Sequence, residues 1–447
     1  MIATDLIRAG EAHPARPWPR YALCSQGWRS MAQALPQQPE LLFEALWADA
    51  GQVFALFTTP TPTPLLVSAP VEAGLYGALS PFRPGAALFE RMVADLWGHL
   101  AADALDARPW LDHGSWPVLR PMLPNPVPNA GPADMPELRE VEGEALQRIR
   151  FGPVRPGILE PARIGLAARG ETVVRLEARL GYAHKGTLAL MRGRALADAA
   201  IVAARLSGEG AVMHALAFAR AAEAALDVAP PPRAVALREV AAGLERIAIH
   251  LHDIGAALEA AGYDPAQPER QREAVLHASQ AAFGQRLMMD VVVPGGLACD
   301  LAAAGQAAIG AALRGVAAAA WPPAFARRAA SCGSLPRLDA RRDDVARTLA
   351  SLAGLLQGLP EGGVRSAVRP GSGEGLGSGE GLGLAAGPRG ACWHWLRVRD
   401  GLVAEAFARD PAWLLWPGME RAAAGATLAD LPLIAASFGL SSSGMDL

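Results

Sequence analysis

Arg205-Leu206-Ser207-Gly208-Glu209-Gly210, followed by Ala211-Val212-Met213-His214, is a polar, glycine-rich break in an otherwise alanine-rich helical run. The segments before and after it, 195–204 and 214–226, are both typical of helix. Two glycines between good helix formers cost about 1 kcal/mol each relative to alanine, so the break requires a reason. A local explanation is a helix end followed by a new helix, with Ser207 as N-cap and Glu209 in its first turn. The alternative is a site built around the break.

The composition is that of a globular protein with a large core. The chain has 447 residues, of which 51% are hydrophobic and 19% charged, and this length allows two or three domains. A net charge of −3 gives no indication of nucleic acid or an anionic membrane surface as a partner. The most apolar long run, 301–321, carries Gln306 and Arg314 and predicts a soluble helix. The first residues lack the basic and apolar segments of a signal peptide.

The four cysteines are Cys24, Cys299, Cys332 and Cys392, and no two lie within four residues of each other. This spacing excludes local zinc, iron–sulfur and Cys-x-x-Cys motifs. We therefore expect buried thiols. Lys185 is the single lysine of the chain, which singles it out as a candidate site residue.

Residues 1–120 predict a small α+β domain. Strands are expected at 41–48, 53–57 and 65–71, the first two forming a hairpin, and an amphipathic helix at 86–96.

A linker and a larger domain follow. Residues 121–144 predict an extended, proline-rich linker, and residues 145–447 the second domain. Within it, 370–387 contains the perfect repeat Gly-Ser-Gly-Glu-Gly-Leu at 371–376 and 377–382 and predicts a flexible glycine-rich loop.

Two hairpins and a long helix are expected in the second domain. The hairpins pair 164–168 with 172–176 and 391–399 with 402–408. The helix has an apolar stripe at three- and four-residue intervals, formed by Leu237, Val240, Leu244, Ile247, Leu251 and Ile254. It also carries polar residues on other faces, which predict pairing within the helical bundle or a role in moving charge or protons. Glu160, which precedes the helix, joins them as a candidate. The structural or charge-relay candidates are Glu160, Arg238, Glu245, Arg246, His250 and Asp253.

A resemblance to a known family rests on the order of several motifs. Gly-Pro-x-x-x-Gly-x-x-Glu-Pro at 152–161 precedes the first hairpin, and Gly-Tyr-x-His-Lys-Gly at 181–186 follows it. With the helix segments 237–239 and 244–255, Phe-Gly-x-Arg at 283–286 and Val-Pro-Gly-Gly at 293–296, this order resembles the large subunit of energy-converting (group-four) [NiFe]-hydrogenases and the quinone-site subunit of respiratory complex I.

The resemblance implies an α+β protein whose residues 145–447 form a mainly α-helical, hydrogenase-large-subunit-like domain with peripheral β-hairpins. Residues 1–120 are loosely similar to the small hydrophilic subunit of complex I. A solvated helix and a proline-rich loop are the alternative explanation of that segment.

The break itself resembles the N-terminal nickel motif of these hydrogenases, Arg-x-Cys-Gly-x-Cys-x-x-x-His. Arg205, Gly208 and His214 match it, but Ser207 and Gly210 stand where the cysteines would be.

The C-terminal nickel motif is altered in the same way. Ser441 and Gly444 take the two cysteine positions of Asp-Pro-Cys-x-x-Cys. Hydroxyls and hydrogens cannot replace soft thiolates as ligands of nickel and low-spin iron, so the resemblance implies that no metal is bound there and that hydrogen is not turned over.

A quinone site of the complex I type is also altered. The family's histidine and tyrosine, which hydrogen-bond the quinone headgroup, correspond to Arg155 and Gly208. Arginine can donate to a quinone carbonyl, whereas glycine has no side chain. The candidate cavity residues are Arg155, His184, Lys185, Arg205, Ser207, Gly208, Glu209, His214, Ser441 and Asp446.

Several of these candidates have simpler explanations. His184 fits a turn histidine, and Lys185 fits a partner of Glu160 or Glu209. The last residues are expected to insert beside the break, with Asp446 near a cation; a frayed tail is the alternative. Since the sequence stops three residues after Gly444, no tail extension for proteolysis is expected.

These observations lead to three hypotheses about function. The first is a nickel-free large subunit of a membrane-associated complex related to hydrogenases and NADH-quinone oxidoreductase, passing electrons from an Fe–S partner towards a membrane arm through a quinone-like acceptor. The second is a quinone-reducing subunit with a rearranged site, and the third a scaffold or assembly subunit without a redox site.

The resemblance also implies the setting. The chain would bind no cofactor itself, except a quinone. Its partners would be a small subunit with a [4Fe–4S] cluster, other hydrophilic subunits and integral membrane, proton-pump-like subunits. It would lie on the cytoplasmic face of the inner membrane.

Overall fold

The computed structural model describes residues 2–60, 63–129, 138, 141–154, 160–316, 320–368 and 377–447. Helices and strands are interleaved along the chain, which confirms the α+β class. Within the described ranges, no helix is long and apolar enough to cross a membrane.

The N-terminal part contains a five-stranded sheet of order β1-β3-β6-β5-β4, flanked by three helices. The predicted strands and helix are present within one or two residues of their expected bounds. The strands are Glu11–His13 (β1), Ala15–Arg16 (β2, in another sheet), Arg20–Ala22 (β3), Leu42–Ala48 (β4), Gln52–Thr58 (β5) and Leu65–Pro70 (β6). The helices are Ala3–Arg8 (α1), Ser25–Ala34 (α2) and Ala87–Trp97 (α3).

Short strand pairs complete this part. They are Leu75–Gly77 (β7) with Leu100–Ala102 (β8), and Val118–Leu119 (β9) with Val127–Pro128 (β10). Met122, in the predicted linker, is buried and its carbonyl accepts a hydrogen bond from Arg192. Positions 130–137 and 139–140 of the linker lie outside the described residues.

The first predicted hairpin of the larger part is present and gains a third strand. The sheet order is β11-β12-β13, formed by Gln147–Phe151 (β11), Arg163–Arg169 (β12) and Thr172–Arg179 (β13).

A helical bundle follows, built around the long helix expected from the apolar stripe. That helix, α7, spans Pro232–Ala260, and the stripe residues Leu237, Val240, Leu244 and Ile247 are fully buried. The other helices of this part are Thr187–Met191 (α4), Leu196–Ala203 (α5), Ala211–Leu226 (α6), Ala266–Phe283 (α8), Ala303–Gly315 (α9), Pro323–Ser331 (α10) and Leu335–Gln357 (α11), with the short strands Val292–Val293 (β14) and Gly296–Leu297 (β15) between α8 and α9. Helices α8 and α11 pack directly against α7.

A four-stranded sheet of order β18-β17-β16-β2 packs on α6 and corrects one expectation. Residues 379–387, expected in the flexible loop, form the strand Gly379–Gly387 (β16) beside Gly390–Arg399 (β17) and Leu402–Arg409 (β18). The strand forms because its alternate glycines, 379, 381 and 383, face α6: a Cβ at any of them would overlap a carbonyl oxygen of that helix. The repeat copy at 371–376 lies outside the described residues.

The two parts share a sheet and a core. Strand β2 pairs in parallel with β16, and Trp47, which stacks on Phe54 within the N-terminal part, also stacks on Phe407 across the boundary. The buried guanidinium of Arg409 pairs with Glu44. The chain continues through Ala412–Ala423 (α12) and Leu431–Phe438 (α13) to a buried tail. The division at residue 120 therefore stays a prediction, while the packing joins both parts.

Candidate functional site

The glycine-rich break is a helix start without a side-chain cap of its own. Helix α6 begins at Ala211 with Gly210 as N-cap, so the expected N-cap at Ser207 is wrong. Instead, both carboxylate oxygens of Glu245 on α7 accept hydrogen bonds from the backbone N–H groups of Val212 and Met213, at 2.7 and 2.9 Å. A neighbouring helix thus supplies the acceptor that free N-terminal N–H groups need.

The altered nickel-motif positions come together in space. Ser207, Gly210 and Ser441 line one small cavity, together with Arg389 and Asp410. Its volume of about 20 Å³ is enough for roughly one water molecule. Among the residues that line it, none is a cysteine.

The fourth position, Gly444, packs directly against one wall of this cavity. A Cβ at Gly444 would overlap the side chain of Asp410. The Asp410 carboxyl therefore takes the space that a cysteine at residue 444 would need. The donor set of hydroxyls, one guanidinium and carboxylates does not fit a nickel–iron centre.

Arg389 is held between two acidic groups. It donates to Asp253 at 2.6 and 3.1 Å and to Glu209 at 2.6 Å. Asp253 is fully buried and also pairs with Arg341 at 2.6 Å. Burial alone would raise the pKa of Asp253, but Arg389 and Arg341 hold it below its ordinary value. The two carboxylates raise the pKa of Arg389 despite its burial, so the cavity keeps a fixed cation.

Behind the cavity, Asp410 connects to a cluster of buried side chains. Its Oδ2 lies 2.9 Å from Nε2 of His214, and the other ring nitrogen of His214 lies 3.0 Å from Nε2 of His394. Burial would raise the pKa of Asp410, but hydrogen bonds from His214 and Ala412 hold it below its usual value. The cavity can thus place a water or a proton between an arginine and an anionic carboxylate.

The C-terminal tail is buried beside the break, as expected, and is not frayed. Ser441 and Ser443 donate to Glu160 at 2.9 and 2.5 Å, and the Ser442 backbone N–H also donates to it. Burial would raise the pKa of Glu160, but these hydrogen bonds hold it below its ordinary value.

Asp446 closes the tail against the segment 181–187. It is fully buried and accepts from the backbone N–H groups of Gly181 and Ala183, at 2.6 and 2.8 Å. Burial raises its pKa to about 6. The expected nearby cation is Lys185, whose charge lowers the pKa of Asp446, whereas Arg205 is paired with Asp290.

Three of the predicted cavity residues, Arg205, His184 and Lys185, are held by other contacts and do not line the cavity. Arg205 is at the surface because Asp290 offers it a paired contact at 2.6 Å. His184 stacks on Trp116 and hydrogen-bonds the Asp446 carbonyl, which fits the simpler explanation of a structural histidine.

Lys185 is the third; its amine donates to the Ser443 carbonyl at 2.9 Å.

The remaining cavity candidates are distributed as follows. Ser207, Glu209 and Ser441 line the cavity, and His214 lies one contact behind it. Gly208 instead lines a neighbouring cavity of about 110 Å³ with Glu209 and Glu245. Arg155 lies outside the described residues.

The charge-relay candidates on α7 are paired within the bundle. Arg238 forms a buried ion pair with Glu223, and His250 contacts Asp344 at 2.8 Å. Arg246 donates to the Ala386 carbonyl at 2.5 Å.

Sequence reasoning missed four residues of the site: Arg389, Asp410, Cys392 and His394. They are distant in sequence from the break and are brought to it by the β16–β17 turn, by β17 and by the end of β18. One local signal was available, since Cys-x-His on a strand places a thiol and an imidazole on the same face.

No family model matches the chain. Among curated proteins it is similar to the membrane-bound hydrogenase subunit alpha of Pyrococcus furiosus, at 30% identity over 34% of this chain and 36% of that protein. It is also similar to hydrogenase-4 component G of Escherichia coli, at 26% identity over 53% of this chain and 45% of that protein. An NADH-quinone oxidoreductase subunit of Saccharopolyspora erythraea is 31% identical over 36% of each chain. The chain thus spans less than half the length of each of these relatives.

One solved structure supports the fold. A chain of the membrane-bound sulfane sulfur reductase, an archaeal respiratory membrane complex, superposes with a TM-score of 0.62 at 16% identity. The match covers 68% of this chain and 99% of the other. At this identity the likeness is one of fold.

Proposed function

Since its relatives are subunits of membrane-bound hydrogenases, hydrogenase-4 and NADH-quinone oxidoreductases, we propose that this chain is a nickel-free large-type subunit of a membrane-associated respiratory complex. In this complex it stands between an Fe–S partner subunit and a membrane arm. Its own residues conduct a conformational or proton signal and do not bind a nickel–iron centre.

One observation carries this proposal. The four positions that correspond to the nickel cysteines are Ser207, Gly210, Ser441 and Gly444, and they gather around one cavity whose wall beside Gly444 is the carboxylate of Asp410. The cavity is therefore lined by the fixed cation Arg389 and the carboxylate of Asp410, and of these the carboxylate is suited to proton transfer, whereas neither suits nickel.

The residues around the cavity also suggest how a signal is passed. Arg389 joins Glu209, which is partly exposed, to the buried Asp253, and Arg341 extends the contacts to His250 and Asp344. A change in protonation at the cavity alters charges along this chain of contacts. A quinone-like acceptor would have to bind next to the cavity, because a volume of about 20 Å³ does not admit a quinone ring.

Elemental analysis and a hydrogen-uptake assay test the nickel-free state. The full chain, expressed with added nickel, is expected to retain no nickel at the cavity and to show no hydrogen uptake with viologen dyes. A matched variant with Ser207→Cys and Ser441→Cys should remain nickel-free, because Asp410 still fills the space at Gly444. One nickel per chain that is lost on substituting Ser441 would overturn the proposal.

A scaffold or assembly subunit is the second candidate, and one observation favours it. Arg389 is engaged on both sides by carboxylates, as in a purely structural ion-pair network. Ser441→Ala, measured in the assembled complex, separates the two. Lost electron transfer with normal assembly supports the signal-conducting role, whereas unchanged electron transfer supports the scaffold.

A further inference from the structure

A second polar cluster lies behind the cavity wall and is completely buried. His214, Cys392 and His394 each have no exposed surface. Nδ1 of His214 lies 3.0 Å from Nε2 of His394 and 3.3 Å from Sγ of Cys392. All three donor atoms lie within 4.8 Å of one another. Two imidazoles and a thiol therefore face one another in the interior of the protein.

The fold brings these residues together by a simple rule. Cys392 and His394 are two residues apart on β17, so their side chains leave the strand on the same face. That face meets α6, whose first turn carries His214. The sheet approaches α6 closely at the glycines of β16, the strand beside β17, and this close approach allows His214 on α6 to contact Cys392 and His394 on β17.

Asp410 orients the cluster. Its Oδ2, 2.9 Å from Nε2 of His214, accepts the proton on that nitrogen, which leaves the Nδ1 lone pair directed at His394 and Cys392. The second oxygen of Asp410 accepts from the Ala412 backbone N–H at 2.7 Å, which fixes the carboxylate. A carboxylate behind a histidine whose free nitrogen faces other donors is the usual surrounding of a metal-binding histidine.

The separations suit a small tetrahedral ion. Zinc–nitrogen bonds of about 2.0–2.1 Å and zinc–sulfur bonds of about 2.3 Å imply donor separations of roughly 3.3–3.6 Å. The observed 3.0 and 3.3 Å reach these values when each donor moves by a few tenths of an ångström.

We propose that His214, Cys392 and His394 form a binding site for a thiophilic divalent cation, Zn²⁺ being the first candidate, with Asp410 as the group that orients His214. This site is distinct from the four altered nickel positions. It holds its ion through imidazole and thiolate, the donors that suit zinc.

Charge balance supports the assignment. Binding replaces the Cys392 S–H bond by a sulfur–metal bond and releases one proton to solvent, so that one thiolate and the Asp410 carboxylate balance the two positive charges. Arg409, whose charge acts on Cys392, is already paired with Glu44. Without an ion, burial holds the pKa of the Cys392 thiol well above its ordinary value, so the cation has to form the thiolate as it binds. Because the cluster is closed to solvent, the ion would enter as the chain folds.

The test uses the full-length chain, expressed in medium with added zinc or with cobalt in its place. We expect one zinc per chain by elemental analysis after dialysis against a weak chelator. The cobalt form is expected to show a thiolate-to-cobalt charge-transfer band, which reports the sulfur–metal bond in the unaltered protein. Cys392→Ser should remove both the metal and the band. Cys24→Ser, at an exposed thiol, should leave both unchanged.

The outcomes are distinct from those of the nickel test. Any of three results would overturn the proposal. The Cys392→Ser variant could retain zinc, the cobalt form could lack the charge-transfer band, or the wild-type chain could hold no metal after growth in either medium. If Cys392→Ser does not fold, the band in the wild-type cobalt form decides alone. Nickel dependent on Ser441 would overturn the proposed function and leave the zinc site unaffected.

Discussion

Helix α6 is held by different contacts at its body and at its N-terminus. Along the body, its backbone carbonyls lie against the glycines of β16, with no room for one additional methyl group. At the N-terminus it meets Glu245, His214 is buried beside Asp410, and the Ser207 break lines a cavity. The position of the helix body is set by its close steric fit to β16, which tolerates no added volume. The position of the N-terminus is set by hydrogen bonds and charges, which respond to pH. The body of α6 thus depends on a close steric fit, and its N-terminus on the carboxylates of Glu245 and Asp410.

Removing residues 441–447 should have the largest effect on stability, because this tail is buried and packs against the segment 181–187. Met445 and Leu447 are fully buried, and each contributes about 1.5–3 kcal/mol. The N–H groups of Gly181 and Ala183 would also lose Asp446 as their acceptor. We expect urea denaturation to show a loss of several kcal/mol, and the assembled complex to lose activity. Leu402→Ala, at an exposed leucine, should change stability by less than about 0.5 kcal/mol. A truncated chain that melts and assembles like the full chain contradicts this.

Gly381→Val should have the next largest effect, at the body of α6. Its side chain would overlap the Ala221 carbonyl, and overpacking of this kind costs about 1–3 kcal/mol or more. Thermal melting measures the loss. The matched control is Gly354→Ala in α11, where an added Cβ meets no atom within 4 Å, so this change should stabilise the protein by about 0.5–1 kcal/mol. Equal effects at the two glycines would mean that β16 does not contact α6 in solution.

Glu245→Ala should cost about 1–3 kcal/mol, because the N–H groups of Val212 and Met213 would stay buried without an acceptor. Glu245→Gln keeps one acceptor oxygen and should lose less. Urea denaturation of both variants measures the difference. We expect Glu245→Gln to affect the stability or the assembly of the protein more than it affects any ligand site. A glutamine variant that melts and assembles like the wild type would contradict this expectation.

The same residue predicts a pH dependence. Burial raises the pKa of Glu245 from 4.5 to about 7 in the folded chain. A folded-state pKa above the unfolded value means that the protonated form favours folding. The contribution is therefore complete below about pH 4.5 and is lost as pH rises through about 7. Relative to Glu245→Gln, the wild type should lose stability between about pH 5 and about pH 8. A constant difference across this range would show that Glu245 does not titrate in the folded protein.

The comparison of the two ends also explains how far sequence reasoning reached. Helix α7 and the strand pairs β4–β5 and β17–β18 follow from hydrophobic periodicity, which depends on near neighbours in the sequence. Strand β16 does not, because glycine carries no hydrophobic signal and its role arises from a helix more than 150 residues earlier. Glu245 was found as a candidate, but its role as the acceptor for α6 depends on a tertiary contact. Arg389 was missed for the same reason.

The smallest expected effect belongs to the repeat. Residues 371–376 and 377–382 are identical, so deleting either copy gives the same protein, in which Gly-Ser-Gly-Glu-Gly-Leu still continues into Gly383. Strand β16 begins inside the second copy and keeps its sequence after the deletion, so its glycines can still face α6. The change shortens the connection from α11 by six residues, and loop length enters the free energy of folding only logarithmically.

We therefore expect melting of the deletion variant to remain within about 1 kcal/mol of the wild type, and its partner binding to be unchanged. The control is the same deletion with valine in place of Gly381, which should lose as much stability as the full-length Gly381→Val chain. A deletion that melts normally but fails to assemble would assign the repeat to an interface. A deletion that destabilises the chain as strongly as Gly381→Val would mean that the length of the connection positions β16 against α6, so that shape alone does not hold the body of that helix.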